Sequence, residues 1–426
     1  METVNIEKMT YGIDALAHIN GKVAFIPYGA PKDIAEINIV ETKTDYFRAE
    51  ISKLLEPSAL RQNSPCPHFP ECGACHWLHL NPEIQRGEKE AQLQYLLKPL
   101  SAGVVYPIEA LPETGYRNKM DLKIQVRESG ELLLGNYRYR SHDVVDMHHC
   151  LVQCEPNMKL YFSLYEFISN RMKLDLKKSI EQIVARTLKT QQHAMVYLKS
   201  DPSEEMLDLW RSFFDQTDSL ARLELIRGTS SFLTLMREKE PFQFMKRTWT
   251  VSPMSFFQNN LEGTEAIFFT LLSIYGNSSH KGKLLDFYCG VGLQTMLLEN
   301  KFDEVVAVES QPESFQDALK NQKNRRPSQI RFLNRKVESI FGTHLVKGVI
   351  SALHVNPPRT GLSPRVTRGL TGIKPRIITY LSCNPITFKR DSQALVSMGY
   401  RLEKVFSFDL FPGTFHLEIL GYFTRN

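Results

Sequence analysis

The chain has 426 residues, of which 42% are apolar and 23% are charged, and 52 lysines and arginines against 47 acidic residues give a formal net charge of +5. These values predict a soluble globular protein of two to four domains, and they exclude a membrane span because no apolar run is long enough. The chain starts without the basic and apolar segments of a signal peptide, so we expect a cytoplasmic protein that does not bind a membrane. The mildly basic charge permits an anionic partner.

Residues 1–57 are predicted to form a small β-barrel. Gly12, Gly21 and Gly29 separate short runs of alternating apolar residues, and residues 27–31 form a turn-rich break. The module is either a generic five-stranded barrel or a nucleic-acid-binding one, because small barrels ahead of basic and aromatic segments commonly bind nucleic acid. Periodicity does not decide between these two interpretations.

The chain has seven cysteines, an odd number, and three of them lie within ten residues of the sequence. An odd count in a long intracellular chain argues against a disulfide framework and favours metal binding or catalysis. Five residues separate Cys66 from Cys72, two separate Cys72 from Cys75, and Gly73 permits a tight turn between them. This spacing predicts a metal site with a fourth ligand elsewhere: a nearby histidine would make a zinc site, whereas a distant cysteine suits zinc or an iron–sulfur cluster. The candidates for this ligand are His68, His76, His79, Cys150 and Cys154.

A β-rich domain is predicted to continue to residue 250. Alternating residues at 120–126 and 132–137, with Gly130 at the turn, predict a hairpin. Helices are predicted at residues 160–168, 177–186 and 203–214. Basic and aromatic residues are interleaved around the hairpin, a mixture that suits single-stranded nucleic acid but is as typical of a solvated strand face. These residues are Tyr116, Arg117, Lys119, Tyr137, Arg138, Tyr139 and Arg140.

Residues 283–294 predict a nucleotide-binding turn. An apolar strand ends in Asp286, and Gly290 and Gly292 form a tight turn before a helix. The next strand ends in Glu309, where an acid can accept hydrogen bonds from both hydroxyls of a ribose. The full dinucleotide spacing is missing, and the combination resembles the S-adenosylmethionine site of class I methyltransferases. A purely structural strand–helix–strand unit is the alternative.

An amide-rich stretch and two strand-end loops complete the candidate site. Gln258 precedes a predicted helix and can donate and accept at once, although helix capping would also explain it. Asn356 and Cys383 each end a strand: Pro357 follows Asn356 directly, and Asn384-Pro385 follows Cys383. Open α/β sheets present their working residues at such ends. A lone cysteine is otherwise most often a small core residue. Glu418 lies in an apolar strand, where burial is costly unless it has a role, so we expect a base rather than an edge residue facing water.

Together these motifs resemble the RNA uracil-5 methyltransferases, specifically their ribosomal RNA branch with an iron–sulfur cluster. The resemblance covers nearly the whole chain and keeps the family's order of motifs. The matching segments are residues 1–57, Cys66, Cys72, Cys75, Cys150, residues 256–258 and 286–290, Glu309, and residues 357–359, 382–385 and 411–418.

The resemblance implies three domains. Residues 1–57 would be a TRAM-like, OB-like β-barrel that binds RNA, residues 58–250 a β-rich central RNA-binding domain with the cluster, and residues 251–426 a Rossmann-like, doubly wound α/β methyltransferase domain. It implies a monomer that methylates carbon 5 of a uracil, with 23S ribosomal RNA as the expected substrate.

The resemblance also implies a role for each site residue. Carbon 5 of uracil is a poor nucleophile until a thiolate adds to carbon 6, and a separate base must later remove the carbon 5 proton. Cys383 would be the nucleophile and Glu418 the base. The ligands implied for S-adenosylmethionine are Gln258, Tyr288, Glu309 and Asn356, and those implied for a [4Fe-4S] cluster are Cys66, Cys72, Cys75 and Cys150.

Three positions differ from the family pattern. Asn356 replaces an aspartate, Lys336 stands where a polar or acidic residue meets the adenine, and Leu293 replaces a common polar residue. The change at Asn356 removes a charge, and charge-assisted hydrogen bonds are about twice as strong as neutral ones. A non-catalytic RNA-binding assembly factor is therefore the rival interpretation. A methyltransferase that acts on transfer RNA or on another base is a further alternative.

Overall fold

The computed structural model describes residues 2–189, 191–239, 241–276, 280–323 and 329–425. The chain forms two compact units, each with its own sheets and hydrophobic core. The first consists of Met1–Gln92, Pro112–Glu240 and Phe411–Phe415, and the second of Leu93–Leu111, Pro241–Leu410 and His416–Asn426. Within the described residues, no helix combines the length and the apolar character needed to span a membrane.

The first unit begins with a six-stranded sheet, where the sequence predicted a five-stranded barrel. Its strands are β1 (Glu2–Asn5), β2 (Lys8–Met9), β3 (Asp14–Ile19), β4 (Lys22–Pro27), β5 (Ile34–Thr42) and β6 (Tyr46–Glu56). They pair in the order β1-β5-β6-β4-β3-β2, and only β4 and β6 are parallel. The buried face carries small and branched side chains, as expected of alternating strands with one face in a core.

A buried carboxylate joins this sheet to the loop that follows it. Asp33 is fully buried and accepts hydrogen bonds from the backbone N–H of Ala30, at 2.6 Å, and of Ser58, at 2.9 Å. The guanidinium of Arg61 binds both carboxylate oxygens, and it also donates to the carbonyl oxygen of Tyr28. Because the charge of Asp33 is paired and its oxygens are saturated, its burial is tolerated.

Helix α1 (Pro82–Leu97) and strand β7 (Val104–Val105), which belongs to the sheet of the second unit, come next in the chain. They are followed by the strands of a seven-stranded sheet in the first unit. Its strands are β8 (Lys119–Val126), β9 (Leu132–Tyr137), β10 (Val144–Asp146), β11 (Ile180–Leu188), β12 (Gln191–Leu198), β13 (Leu220–Arg227) and β14 (Ser230–Met236), in the order β10-β9-β8-β11-β12-β13-β14. The predicted hairpin is confirmed as β8 and β9. Helices α2 (Glu155–Arg171), α3 (Leu174–Ser179) and α4 (Glu204–Gln216) contribute to a common core with one face of this sheet.

One predicted helix is wrong. The sequence predicted a helix over residues 177–186, but α3 ends at Ser179 and β11 begins at Ile180. The side chains of Ile180, Ile183 and Val184 are β-branched, which suits a pleated sheet better than a helix. Strand β11 lies between β8 and β12, so pairing on both sides outweighs the helical spacing of its apolar residues.

The second unit contains an eight-stranded sheet. After the hairpin of β15 (Phe242–Phe244) and β16 (Arg247–Trp249), its elements are α5 (Leu261–Tyr275), β17 (His280–Phe287), α6 (Leu293–Leu298), β18 (Phe302–Glu309), α7 (Pro312–Gln322), β19 (Ile330–Asn334), β20 (Ile350–Val355), α8 (Pro364–Ile373), β21 (Ile377–Ser382), α9 (Pro385–Ser397), β22 (Arg401–Phe408) and β23 (Glu418–Thr424). The order is β19-β18-β17-β20-β21-β23-β22-β7, with β17 to β21 parallel and β23 antiparallel to both neighbours. The strand order reverses at β17, which is the point where open α/β sheets bind ligands.

A short segment near the end of the chain belongs to the first unit. Residues Phe411–Phe415 lie there although the residues on both sides belong to the second unit. The carbonyl oxygen of Gly413 accepts hydrogen bonds from the backbone N–H of His76 and Trp77, and its own N–H donates to the side chain of Gln85. A late piece of sequence thus completes the surroundings of the cysteine segment.

We expect Asp33→Ala to destabilise the first unit by about 3–5 kcal/mol, because it removes the buried partner of the half-buried guanidinium of Arg61 and leaves the N–H groups of Ala30 and Ser58 without their acceptor. Urea unfolding followed by tryptophan fluorescence measures this loss. Asp45→Ala, which removes an exposed acid between β5 and β6, is the matched control and should change stability by less than about 0.5 kcal/mol. Equal stabilities of the two variants would contradict the role given to Asp33.

Candidate active site and metal centre

The predicted nucleotide-binding turn lies at the carboxyl end of β17. Val355, the last residue of β20, pairs with Phe287, and the next residue, Asn356, donates its backbone N–H to the carbonyl oxygen of Phe287 at 3.3 Å. Parallel strands thus bring Asn356 beside the residue that follows β17, which is Tyr288. Tyr288 has a φ of 62°, and this left-handed conformation turns the chain sharply out of the strand.

A cavity at this edge collects three of the four predicted cofactor residues. Gln258, Tyr288 and Asn356 line it together with Gly290 and Leu293. It therefore combines two amides and a phenol with apolar walls, a lining typical of sites that bind a small organic molecule. Two of the three departures from the family pattern, Asn356 and Leu293, face this same cavity.

Glu309, the fourth residue, lies directly beside the turn. Its carboxylate accepts hydrogen bonds from the backbone N–H of Gly290, at 3.0 Å, and of Gln311, at 2.7 Å, one on each oxygen. These bonds fix the carboxylate at the end of β18. A carboxylate has about four acceptor positions, so it can also accept from a bound ligand.

Glycine is required at Gly292 in this turn. Its φ is +83°, and a Cβ placed there would lie 2.9 Å from the ring of Phe332. Gly290 also has a positive φ, of +56°, and it lines the cavity without a side chain to fill it. The turn therefore leaves room for a ligand to approach the backbone, and the residues around it suit the predicted nucleoside and amino-acid groups of S-adenosylmethionine.

Asp286 is buried beneath the turn. The hydroxyl of Thr295 donates to its carboxyl group, and burial raises the pKa of that carboxyl to about 7, with the nearby charge of Glu309 adding to the rise. Thr295 lies on α6, so this bond ties the end of β17 to the helix that follows the glycines. Asp286 therefore supports the turn from inside the unit.

Cys383 and Glu418 lie at the same edge of the sheet. In the antiparallel pair of β21 and β23, Ser382 is opposite Ile419, so one further step along the register brings Cys383 opposite Glu418. The chain turns immediately after Cys383, because the side chain of Asn384 accepts a hydrogen bond from the N–H of Ile386 and caps α9. The two predicted catalytic residues are thus neighbours at the carboxyl end of β21.

Arg359 is a third charged residue at this place, and the sequence interpretation gave it no role. Its carbonyl oxygen accepts hydrogen bonds from the side chains of Asn384 and Thr387, which hold its loop against the start of α9. Its guanidinium acts on both catalytic candidates, since its charge lowers the pKa of each. The sequence carried one signal for a role of Arg359, because this cation comes directly after Asn-Pro-Pro in a loop at a strand end.

The pKa values of this pair follow from burial. Glu418 is only 4% exposed, and burial raises the pKa of its carboxyl to about 8 against the charge of Arg359. Burial, together with the charge of Glu418, raises the pKa of the Cys383 thiol to about 11, and Arg359 again opposes the rise. Both groups therefore hold a proton at neutral pH in the protein alone, and Glu418 is close to the pH at which it can exchange one.

The cysteines of the predicted metal site line one cavity in the first unit. Cys66, Cys72, Cys75 and Cys150 all face it, whereas Cys154, the alternative ligand, is absent from its lining and lies at the start of α2. Burial raises the pKa of the Cys72, Cys75 and Cys150 thiols, and neighbouring thiols of the set raise it further, so the four sulfurs act on one another.

The loop that carries the first cysteines packs tightly on the β9 end. The N–H of Gly73 donates to the carbonyl oxygen of Tyr137, and a Cβ on Gly73 would lie 2.9 Å from that oxygen. Of the histidines predicted as alternative ligands, His68 lines the cavity, while His79 binds the carbonyl oxygen of Gly29. Among the described residues, no three His, Cys, Asp or Glu side chains are spaced for one metal ion. Four cysteine sulfurs are a ligand set of structural zinc sites as well as of iron–sulfur clusters.

Comparisons with known proteins find relatives that match the chain over nearly its whole length. Residues 236–426 match the family described as tRNA (uracil-5-)-methyltransferase. An uncharacterised RNA methyltransferase of Aquifex aeolicus is 31% identical, and the match covers 98% of this chain and 97% of that protein. Another, of Halalkalibacterium halodurans, is 27% identical over 97% of this chain and 95% of its own length.

A solved structure shares the fold. The tRNA (uracil-54, C5)-methyltransferase of Pyrococcus abyssi, determined with S-adenosyl-L-homocysteine, has a TM-score of 0.74 and 22% sequence identity, and the match covers 99% of this chain and 100% of that one. The predicted α/β methyltransferase architecture is therefore confirmed as a fold.

We expect Glu418→Gln to stabilise the protein in a pH-dependent way. The folded state keeps the proton of Glu418 up to about pH 8, whereas the unfolded chain releases it near the ordinary pKa of 4.5. The free energy of unfolding of the wild-type protein therefore decreases as the pH rises from 4.5 to 8. The variant has no such proton, so its free energy of unfolding does not show this decrease. Urea unfolding at pH 4, 6 and 8 should give a difference that is small at pH 4 and grows to pH 8.

Glu403→Gln on β22 is the matched control. Hydrogen bonds from Thr424 and Arg401 lower the pKa of Glu403, so its replacement should not stabilise the protein as the pH rises. A stability difference for Glu418→Gln that stays constant with pH would overturn the assignment of a raised pKa.

Proposed function

The chain belongs to the tRNA (uracil-5-)-methyltransferase family of RNA methyltransferases, and on this premise we propose that it transfers a methyl group from S-adenosylmethionine to carbon 5 of a uridine in RNA. The observation that carries the proposal is that Cys383 and Glu418 are neighbours at the sheet edge that also holds the candidate cofactor cavity. A nucleophilic thiol and a separate base are the two groups that methylation of this carbon needs.

Cys383 would begin the reaction. Its thiolate adds to carbon 6 of the uracil, and the electrons of the double bond move toward the carbonyl oxygen on carbon 4, which gives an enolate whose carbon 5 is nucleophilic. The positive charge of Arg359 favours this step because it stabilises the thiolate. S-adenosylmethionine would supply an electrophilic methyl group: carbon 5 bonds to it while the bond between the methyl group and the sulfur breaks, and S-adenosylhomocysteine leaves.

Glu418 would complete the reaction. It removes the proton from carbon 5, and the bond between Cys383 and carbon 6 then breaks to restore the double bond and the thiolate. Its pKa of about 8 makes it a stronger base than an exposed carboxylate. The buried position beside Cys383 therefore serves both the adduct and its release.

The cofactor would occupy the cavity at the end of β17. Glu309 is held by two backbone N–H groups in a position to accept hydrogen bonds from a ribose, and Gln258, Tyr288 and Asn356 would contact the remaining polar groups. Asn356 can still accept a hydrogen bond where the family has an acid, so we expect binding that is retained but weaker.

A [4Fe-4S] cluster would be held by Cys66, Cys72, Cys75 and Cys150. The proposal is supported by the shared cavity and by the chemistry of four cysteine sulfurs, which is the usual ligand set of such clusters. Methyl transfer moves no net electron, so the cluster would stabilise the fold of the first unit and take no part in the reaction.

The substrate we propose is 23S ribosomal RNA, bound by a cytoplasmic monomer. The support is the resemblance of the cysteine set and of the N-terminal, TRAM-like sheet to the ribosomal branch of the family. The target base must leave its stack to reach the half-buried thiol of Cys383, so an unpaired or splayed uridine is the expected site. Transfer RNA, which the descriptions of the family and of the Pyrococcus abyssi protein name, is the alternative substrate.

The decisive experiment is methyl transfer from labelled S-adenosylmethionine to total RNA that lacks 5-methyluridine. The protein is purified without oxygen, and the RNA is digested to nucleosides after the reaction. Label in 5-methyluridine is the expected result, and separation of the RNA by size distinguishes ribosomal from transfer RNA. Intact protein that gives no label and binds no S-adenosylmethionine in a titration would favour the non-catalytic RNA-binding interpretation.

We expect Cys383→Ala to abolish methyl transfer without weakening S-adenosylmethionine binding, because it removes only the nucleophile. Glu418→Gln should instead retain the RNA covalently, since the adduct forms but its carbon 5 proton is not removed. Denaturing gel electrophoresis detects such a complex. Cys154→Ala is the matched control with normal turnover, and turnover by Cys383→Ala would remove the assignment.

We also expect Cys150→Ser to lower the iron and sulfide content of the purified protein, because it removes one of four cluster ligands. Cys154→Ser, four residues away but outside the cavity, should keep a full cluster. Iron analysis and the visible absorption spectrum measure both variants. The opposite result would make Cys154 the fourth ligand.

A further inference from the structure

Residues 250–258 connect strand β16 with helix α5, and the structure, which describes all nine of them, places none in a helix or a strand. This segment carries Gln258, one of the candidate cofactor ligands, and Phe256, which lines the same cavity. A segment without regular backbone pairing takes its conformation from its other contacts. The position of Gln258 therefore depends on what holds residues 250–258.

Helix α7 presents three buried polar side chains to this segment. Ser314, Asp317 and Asn321 follow one another at spacings of three and four residues, so they lie on one face of the helix. Ser314 and Asp317 are fully buried, and Asn321 is 9% exposed. The buried face of a helix usually carries apolar side chains, and polar groups are tolerated there when they are hydrogen-bonded.

Asp317 is at the centre of this contact. One of its carboxylate oxygens accepts hydrogen bonds from the backbone N–H of Ser252 and from the hydroxyl of Ser255, both at 2.6 Å, and the other accepts from the hydroxyl of Ser252 at 2.8 Å. These three donors all belong to the 250–258 segment. The ammonium group of Lys320, an exposed side chain, lies 3.7 Å from the carboxylate. The buried charge of Asp317 is thus stabilised mainly by the segment that carries Gln258.

Asn321 ties the start of the segment to the glycine turn. Its side-chain oxygen accepts a hydrogen bond from the N–H of Thr250 at 2.6 Å, and its side-chain nitrogen donates to the carbonyl oxygen of Thr250 at 3.0 Å. The same nitrogen donates at 3.1 Å to the carbonyl oxygen of Val291, which lies between Gly290 and Gly292. One side chain therefore joins the segment to the turn.

Ser314 and Gln311 tie the end of the segment to the candidate ribose ligand, Glu309. The N–H of Phe256 donates to the hydroxyl of Ser314 at 3.3 Å, and this hydroxyl donates to the side-chain oxygen of Gln311 at 2.8 Å. The side-chain nitrogen of Gln311 donates to the carbonyl oxygen of Met254 at 2.9 Å, while its backbone N–H donates to the carboxylate of Glu309. Helix α7 and the residue before it therefore hold together the glycine turn, Glu309 and the 250–258 segment.

The link from Asp317 to Gln258 is short. Two residues separate Ser255 from Gln258, and one of them, Phe257, is buried against the rings of Phe242 and Phe244. Because this link joins two fixed points, the backbone at Gln258 has little freedom as long as the hydrogen bonds to Asp317 are present.

We propose that Asp317 is a positioning residue: through Ser252 and Ser255 it places Gln258 in the cavity, and its replacement weakens the binding of S-adenosylmethionine although Asp317 lies outside the cavity lining. The inference rests on the proposed function, because it takes Gln258 as a ligand of S-adenosylmethionine. It assigns to α7 a role that depends on buried polar contacts and not on contact with the cofactor.

The test is a double-mutant cycle on the affinity of the complete protein for S-adenosylmethionine, measured by isothermal titration calorimetry. Asp317→Asn keeps the size of the side chain but removes its charge and one acceptor, and it should lower the affinity by about 3- to 10-fold, the equivalent of about one hydrogen bond. Gln258→Ala should lower the affinity by a similar factor. In the Gln258→Ala background, Asp317→Asn should change the affinity by less than about twofold, because the side chain that it positions is already absent.

A merely structural role predicts a different result. Losses at independent sites multiply, so the double variant would then show the product of the two single factors. Ser255→Ala removes one donor from the segment itself and should lower the affinity by a smaller factor, which tests the same link if Asp317→Asn does not fold. Thermal unfolding of each variant verifies that it is folded.

Asp303→Asn is the matched control. Asp303 also accepts a hydrogen bond from a backbone N–H, that of Gly282 at 2.7 Å, but it lies near the amino ends of β17 and β18, whereas the cavity is at the carboxyl end. Its replacement should leave the affinity for S-adenosylmethionine unchanged.

Wild-type affinity in folded Asp317→Asn and Ser255→Ala, or multiplied losses in the cycle, would overturn the inference. So would normal binding by folded Gln258→Ala. Methyl transfer to total RNA is scored separately with the wild-type protein: label in 5-methyluridine together with unchanged affinity in the variants would leave the proposed function standing and remove only the role of Asp317. A wild-type protein that neither binds S-adenosylmethionine nor labels RNA would contradict the proposed function itself.

Discussion

At the candidate active site, burial and the guanidinium of Arg359 have opposite effects on the pKa values of Cys383 and Glu418. Burial favours the neutral forms of Cys383 and Glu418, and Arg359 favours the charged forms of both. A thiol with a pKa near 11 and an acid with a pKa near 8 are each incompletely suited to their tasks in the protein alone. In the proposed reaction the bound substrate would shift this balance, since it would replace water and provide the acceptor for the sulfur. In the proposed reaction, activity would depend on how the loop of Arg359 is held, and the side chains of Asn384 and Thr387 hold it by donating to its carbonyl oxygen.

The topology of the second unit explains why these groups meet. Parallel strands deliver Tyr288, Glu309 and Asn356 to one edge, and the antiparallel strand β23 starts at that same edge with Glu418. Reversal of the strand order at β17 opens the crevice in which the cavity lies. In the first unit, two loops that are far apart in the sequence line one cavity. One loop carries Cys66, Cys72 and Cys75, and the other carries Cys150.

Much of this could be predicted from the sequence because the informative residues interrupt regular structure. Glycines in the turn after β17 and prolines after Asn356 and Asn384 have clear conformational consequences, so strand ends and their polar residues were recognisable. The role of Arg359 was missed because it depends on which loops are neighbours. The helix predicted over residues 177–186 failed because pairing with β8 and β12 outweighs local pattern.

The return of Phe411–Phe415 to the first unit has a consequence for how the protein is made. The ribosome releases the chain from its N-terminus, so β1 to β14 emerge long before Gly413, whose backbone binds His76, Trp77 and Gln85. Until then the segment that carries Cys72 and Cys75 lacks these hydrogen bonds. The N-terminal unit can therefore reach its final form only after nearly all of the C-terminal one has been translated. A gene fragment that stops at residue 240 would encode both sheets of the first unit but not Phe411–Phe415. The first unit would then lack the hydrogen bonds that Gly413 makes with His76, Trp77 and Gln85.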